Sequence, residues 1–86
     1  HRLSTIKNAD LILVLKDGFA SMDMAQNILV VRTVSGMAMA VAAALDALNF
    51  HEIVGTIAGD DTIMCAVRSV EENIQLMDRL RKMVGK

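Results

Sequence analysis

Between Met37 and Leu48 the chain reads Met-Ala-Met-Ala-Val-Ala-Ala-Ala-Leu-Asp-Ala-Leu, a helical segment introduced by Gly36, apolar on every side and carrying one charge. Val41, Leu45 and Leu48 recur at i, i+4 and i+7 and form the stripe that faces a core. Met39 and Asp46, seven residues apart, share a line on nearly the opposite side, with Ala42 and Ala43 between them. In a monomer this second face would lie in water. The helix is therefore expected to meet another subunit as well as its own core, and any fold the chain adopts has to accommodate both.

Composition points the same way. With 86 residues the chain is expected to form one domain with one core. Yet 53% of the residues are hydrophobic and mean hydropathy is +0.42, more apolar surface than one small core hides. The surplus implies a protein interface or a membrane. A spanning helix needs about 20 apolar residues, whereas the most apolar stretch, Ser35 to Leu45, ends at Asp46. The start of the chain, with Lys7 and Asp10 soon after His1-Arg2-Leu3-Ser4, does not read as a signal peptide. A soluble, cytoplasmic homo-oligomer is the expectation.

A net charge of -1 and 2% aromatics argue against nucleic-acid binding by this chain, which has neither a basic field for phosphates nor platforms for bases. Cys65 stands alone in an apolar stretch and reads as a small hydrophobe in a reducing compartment. His1 and His51 have no spaced partners, so no metal site is expected. No nucleophile has a base beside it in any recognisable pattern, and no catalytic residue or enzyme activity is expected.

The periodicities give an ordered set of elements. A short helix is expected over Leu3 to Ala9. Leu11 to Leu15 is a continuous apolar run of strand length, and Asp17-Gly18 after it is a hairpin signal. Ala20, Met22 and Met24 alternate with Ser21 and Asp23 as a half-buried strand, Gln26-Asn27 turns the chain, and Ile28 to Val34 is the next strand. After the apolar helix, Ile53 to Ala58 and Thr62 to Arg68 are two strands joined around Gly59-Asp60-Asp61. Ser69 and Glu72 form a capping box for the last helix, whose buried stripe is read as Val70, Ile74, Met77 and Leu80 and whose end falls at Gly85. The fold class is α+β: a β-β-α-β-β-α two-layer antiparallel sheet with helices on one face, plus an amino-terminal helix-strand extension. The uncovered sheet face is a second reason to expect oligomerisation.

Gly59-Asp60-Asp61-Thr62 is the one polar cluster at an apolar junction. These residues are common turn formers, so a plain hairpin turn accounts for them. A cation site is the alternative, because adjacent carboxylates at an oligomer seam repel and lose solvation. A guanidinium satisfies both through paired, charge-assisted hydrogen bonds, whereas a hydrated Mg²⁺ wants more oxygen ligands. Asp46 sits near the carboxyl-terminal end of its helix, where the macrodipole disfavours it, so another group is expected to hold it.

Gln26-Asn27-Ile28-Leu29-Val30-Val31-Arg32-Thr33, then Ser35-Gly36, then Gly55-Thr56-Ile57-Ala58-Gly59-Asp60-Asp61-Thr62-Ile63 resemble the arginine repressor C-terminal domain, over about residues 18–86. The resemblance implies trimers that pair into hexamers, with L-arginine between them as corepressor. It implies that Asp60 and Asp61 hold the cationic groups of the arginine and that Asp46 also lines the site; with Thr62 of the same polar cluster these make up the expected arginine-binding set, and no other cofactor is expected. Met39 departs from the family, which often has glutamine or another polar residue there; methionine cannot supply an amide hydrogen bond.

Residues 1–18 instead resemble the segment of an ABC transporter ATPase that begins at its switch histidine, which would be His1, although no Walker motif accompanies it. The chain is accordingly expected to be a recombined or engineered chimera joined near Asp17-Gly18, its amino-terminal segment folded onto the domain. The expected function is the oligomerisation and L-arginine-binding module of a transcriptional regulator without its DNA-binding domain. The alternatives are a structural chimera that binds no ligand and, more remotely, a nucleotide-handling fragment.

Overall fold

A computed structural model describes residues 8–85. The order is α1 (Asn8–Gly18), β1 (Phe19–Ala25), β2 (Ile28–Thr33), α2 (Ala38–Leu48), β3 (Ile53–Ala58), β4 (Thr62–Val67) and α3 (Val70–Val84). The strands form one antiparallel sheet in the order β1-β2-β4-β3. From Phe19 on this is the expected β-β-α-β-β-α arrangement. Leu29 and Val31 of β2 alternate with Ile63, Cys65 and Val67 of β4 in lining one sheet face, and they pack with Val41 and Leu45 of α2 and Leu76 and Leu80 of α3. Ile28 and Val30, Met64 and Ala66, and Ile57 point the other way.

The expected strand over Leu11 to Leu15 is instead the body of α1. A five-residue apolar run fits a buried strand or a helix segment equally well; the spacing of burial decides between them. Leu15 is buried, Leu11 and Val14 are packed against the core, and Leu13 is 55% exposed. That is the i, i+3, i+4 pattern of a helix, with Asp10 in the first turn and Lys16 in the last suiting the macrodipole. Asp17-Gly18 therefore makes no hairpin. Gly18 is the last residue of α1 and lies where a Cβ would stand 2.5 Å from Val41 Cγ2, so glycine is what permits the helix to seat against α2. The amino-terminal extension is thus folded onto the domain, as a helix and not as a strand. The helix expected over Leu3 to Ala9 and His1 fall outside the described residues, except that residues 8 and 9 belong to α1.

Two faces are rotated from their expected positions. In α3 the buried residues are Asn73, Leu76, Met77, Leu80 and Val84, while Ile74 is 56% exposed and Val70 is also exposed. Asn73 displaces them because its side-chain Nδ2 donates to the carbonyl of Gln26, at 3.0 Å, in the β1–β2 turn. In α2, Ala42 is buried with Val41 and Leu45, so the outer face is turned from its expected line and consists of Met39, Ala40, Ala43, Asp46 and Ala47. The capping of α3 is as expected: Glu72 N–H donates to Ser69 Oγ at 3.1 Å, and Gly85 closes the helix at φ 72°.

Candidate functional site

The hairpin between β3 and β4 is closed by Gly59 N–H donating to the Thr62 carbonyl at 2.8 Å, which leaves Asp60 and Asp61 at its tip. Both side chains are exposed. The Thr62 hydroxyl donates to Asp61 Oδ1 at 3.0 Å and fixes that carboxylate relative to the strand. The turn-former reading is thus correct as far as the backbone goes, and it is also what sets two carboxylates side by side in water, where neither needs a buried partner.

The main chain of this turn is engaged as well. The Asp61 carbonyl accepts from Thr33 N–H at 2.7 Å, extending the β2–β4 ladder by one bond, and the Asp60 carbonyl accepts from Ala38 N–H at 3.1 Å. The latter matters because α2 has no side-chain cap at its amino-terminal end. Its orphan amide is satisfied by the turn. The carboxylates therefore sit beside the first turn of α2, which also carries Met39.

Asp46 lies at the other end of the same helix. Eight residues separate it from Ala38, which is about 12 Å along the axis. Within one protomer the structure brings Asp60, Asp61 and Thr62 together and sets Asp46 apart from them. The group that holds Asp46 is Thr56 of β3, whose hydroxyl donates to Asp46 Oδ1 at 3.3 Å. Sequence reasoning did not identify Thr56: the bond links two elements ten residues apart, and no local spacing announces it.

Cys65 lies fully buried opposite Thr56 in the β3–β4 ladder. Burial pushes its thiol up to about 11 from an ordinary 9.0, and the charge of Asp46 adds to the shift. The thiol stays protonated at neutral pH, so it is a poor nucleophile. Among the described residues no group of three His, Cys, Asp or Glu side chains is placed to hold a metal ion, and no helix is long and apolar enough to cross a membrane.

A second feature lies on the sheet face away from the helices. Ile28, Val54, Gly55, Ile57, Met64 and Ala66 border a shallow apolar depression of about 350 Å³. Ile57 is 79% exposed and Met64 52%.

Comparison with known proteins identifies the family. The sequence model of the family described as Arginine repressor, C-terminal domain matches residues 15–82. The arginine repressor of Lachnoclostridium phytofermentans is 67% identical over 74 residues, covering 86% of this chain and 49% of that protein. That of Lachnospira eligens is 63% identical over 73 residues, covering 85% and 48%. The chain thus spans about half the length of these curated relatives. The arginine repressor of Alkaliphilus oremlandii, at 34% identity, aligns over 98% of this chain. That alignment takes in the amino-terminal segment, and the family match starts at Leu15, inside α1 and before the expected junction. The likeness of residues 1–18 to a transporter ATPase, and the chimera inferred from it, gain no support from these matches.

Proposed function

The chain belongs to the arginine repressor C-terminal domain family, and from that premise we propose that it is a single domain serving as the oligomerisation and L-arginine-binding module of a transcriptional regulator. The observation that carries the ligand assignment is the Asp60–Asp61 tip, held by three backbone hydrogen bonds and flanked by the Thr62 hydroxyl. Two carboxylates on a fixed turn match the planar fork of a guanidinium, which binds them through parallel charge-assisted bonds. Exposed ion pairs contribute little, so the site becomes selective only where a second copy covers it. Asp46, most of a helix length away and oriented by Thr56, then contributes from a facing copy or meets the other cationic end of the ligand.

Self-association is supported by the outward sheet face bearing Ile57 and Met64 and by the outer face of α2. Two separate faces suit an assembly with two kinds of seam, such as paired trimers. Gene regulation by the whole protein would draw on the half of the relatives' length that this chain does not span.

A second reading, an assembly that has lost its ligand, is favoured by Met39, which is 74% exposed in the first turn of α2 and offers no amide hydrogen bond. Thermal melting separates the two. A ligand at 100 times its Kd adds about 2.7 kcal/mol to the native state, so millimolar L-arginine is expected to raise the melting temperature of the wild type and not that of Asp60→Asn. An unchanged melting temperature in the wild type rejects the ligand assignment.

A further inference from the structure

The turn that carries Asp60 and Asp61 is tied to α1 through one short corner of the chain. The carbonyls of Asp61 and Asp60 accept from Thr33 N–H and Ala38 N–H, the two ends of that corner. Inside it, Val34 N–H donates to the Gly18 carbonyl at 2.9 Å, and Met37 N–H donates to the Val34 carbonyl at 3.1 Å. The Thr33 hydroxyl also donates to the Val34 carbonyl, at 2.9 Å. Gly18 ends α1, and the position of its missing Cβ lies 2.5 Å from Val41 Cγ2 and 3.2 Å from Met37 Cε. The carboxylate turn, the start of α2 and the end of α1 are thus all hydrogen-bonded to, or part of, one six-residue stretch of main chain, Thr33 to Ala38. These bonds form a continuous path from the turn, through Thr33 and Val34, to Gly18 at the end of α1.

We propose that binding of a guanidinium-bearing ligand at the Asp60–Asp61 turn and docking of α1 on α2 are energetically coupled through the Thr33–Ala38 corner. The coupling rests on the ligand assignment above. A ligand that clamps the two carboxylates holds their backbone carbonyls in place, keeps the corner closed and holds the end of α1 against Val41. By linkage the effect is reciprocal: loosening α1 frees the corner, lets the turn sample other positions and weakens the ligand. The device requires Gly18, because any side chain there meets Val41 and lifts α1 before the ligand arrives.

The test uses the full chain with L-arginine as the probe. Hydrogen exchange of amides 12–18 is measured with and without saturating arginine, and arginine affinity is measured by calorimetry for the wild type, Gly18→Ala and Leu11→Ala. Arginine is expected to slow exchange in α1, and both variants are expected to bind about fivefold or more weakly. Leu13→Ala, on the exposed side of α1, keeps the wild-type affinity. If Gly18→Ala does not fold by circular dichroism, the wild-type exchange and Leu11→Ala decide the matter. No arginine binding by the wild type rejects the ligand assignment and the coupling with it. Normal binding with unchanged α1 exchange and unaltered affinity in Leu11→Ala rejects the coupling alone.

Discussion

Met39 lies in the first turn of α2, next to Ala38, whose N–H is bonded to the Asp60 carbonyl. A thioether there offers no amide donor or acceptor. Glutamine has similar length and supplies both a donor and an acceptor. One net hydrogen bond is worth about 0.5–1.5 kcal/mol, so Met39→Gln is expected to lower the Kd for L-arginine by about two- to tenfold in calorimetry; weaker binding would show that Met39 packs against the ligand. Cys65 offers a second residue-scale check. Its thiol is raised in the folded chain, so between about 9.0 and about 11 the unfolded chain has lost a proton that the folded chain keeps. The folded state then binds more protons, and stability falls as pH rises through that window, by up to about 1.4 kcal/mol per pH unit. Melting from pH 8 upward is expected to show a steeper decline for the wild type than for Cys65→Ala; equal slopes would mean that the thiol is not desolvated. At this scale the sequence is a good guide where the chemistry is local. Asp60, Asp61 and Thr62 are legible as a turn of two carboxylates because glycine, aspartate and threonine encode the turn themselves. That Asp46 needs a partner is legible too, from its place on the helix, but Thr56 is not, because the pairing of α2 with β3 is tertiary.

Helix α1 shows where local signals mislead at the scale of an element. Leu11 to Leu15 is too short to reveal a period, and Asp17-Gly18 mimics a hairpin; the competing information is the close approach to Val41, which lies 23 residues further on. The two assignments make opposite demands on side chains. A strand alternates and would bury Leu11, Leu13 and Leu15 alike, whereas α1 buries Leu15 and exposes Leu13. Leu15→Ala is therefore expected to cost about 2–5 kcal/mol in denaturant unfolding, and Leu13→Ala less than about 0.5 kcal/mol. Equal costs would refute the helical assignment. Asn73 explains the rotation of α3 in similar terms. An asparagine reads as an exposed residue, and so Ile74 takes the buried place in any reading of α3 by hydrophobicity. In the fold its amide is needed by the Gln26 carbonyl across 47 residues of chain. Its remaining oxygen, Oδ1, has no protein partner among the described residues, a cost that the turn contact has to offset. The strands of both hairpins, the cap at Ser69 and the stop at Gly85 needed no such distant information, and the sequence located them.

For the whole molecule the decisive quantity is the apolar surface left over once the core is complete. Ile57 and Met64 are paired across β3 and β4 and stand exposed beside Val54, on the sheet face that no helix of the described residues covers. Isolated exposed hydrophobics need no explanation, but neighbours across several strands form a patch of the kind that marks an interface. Burying such a patch gains roughly 25 cal/mol per Å², and most of that gain is consumed by the cost of association, so a single charge in its centre shifts the balance. Ile57→Lys places an ammonium in the middle of this apolar patch, with Met64 and not a carboxylate opposite it in the ladder. Light scattering of the wild type at micromolar concentration is expected to give a mass several times the 9.3 kDa of one chain, and Ile57→Lys is expected to lower it towards that of the monomer. A charge on the outer face of α2, as in Ala43→Lys, acts at a different seam and is expected to leave an intermediate assembly. The comparison discriminates between one interface and two: if both variants dissociate to the same species, a single surface accounts for assembly, and a wild-type monomer would leave the exposed sheet face without a role in self-association.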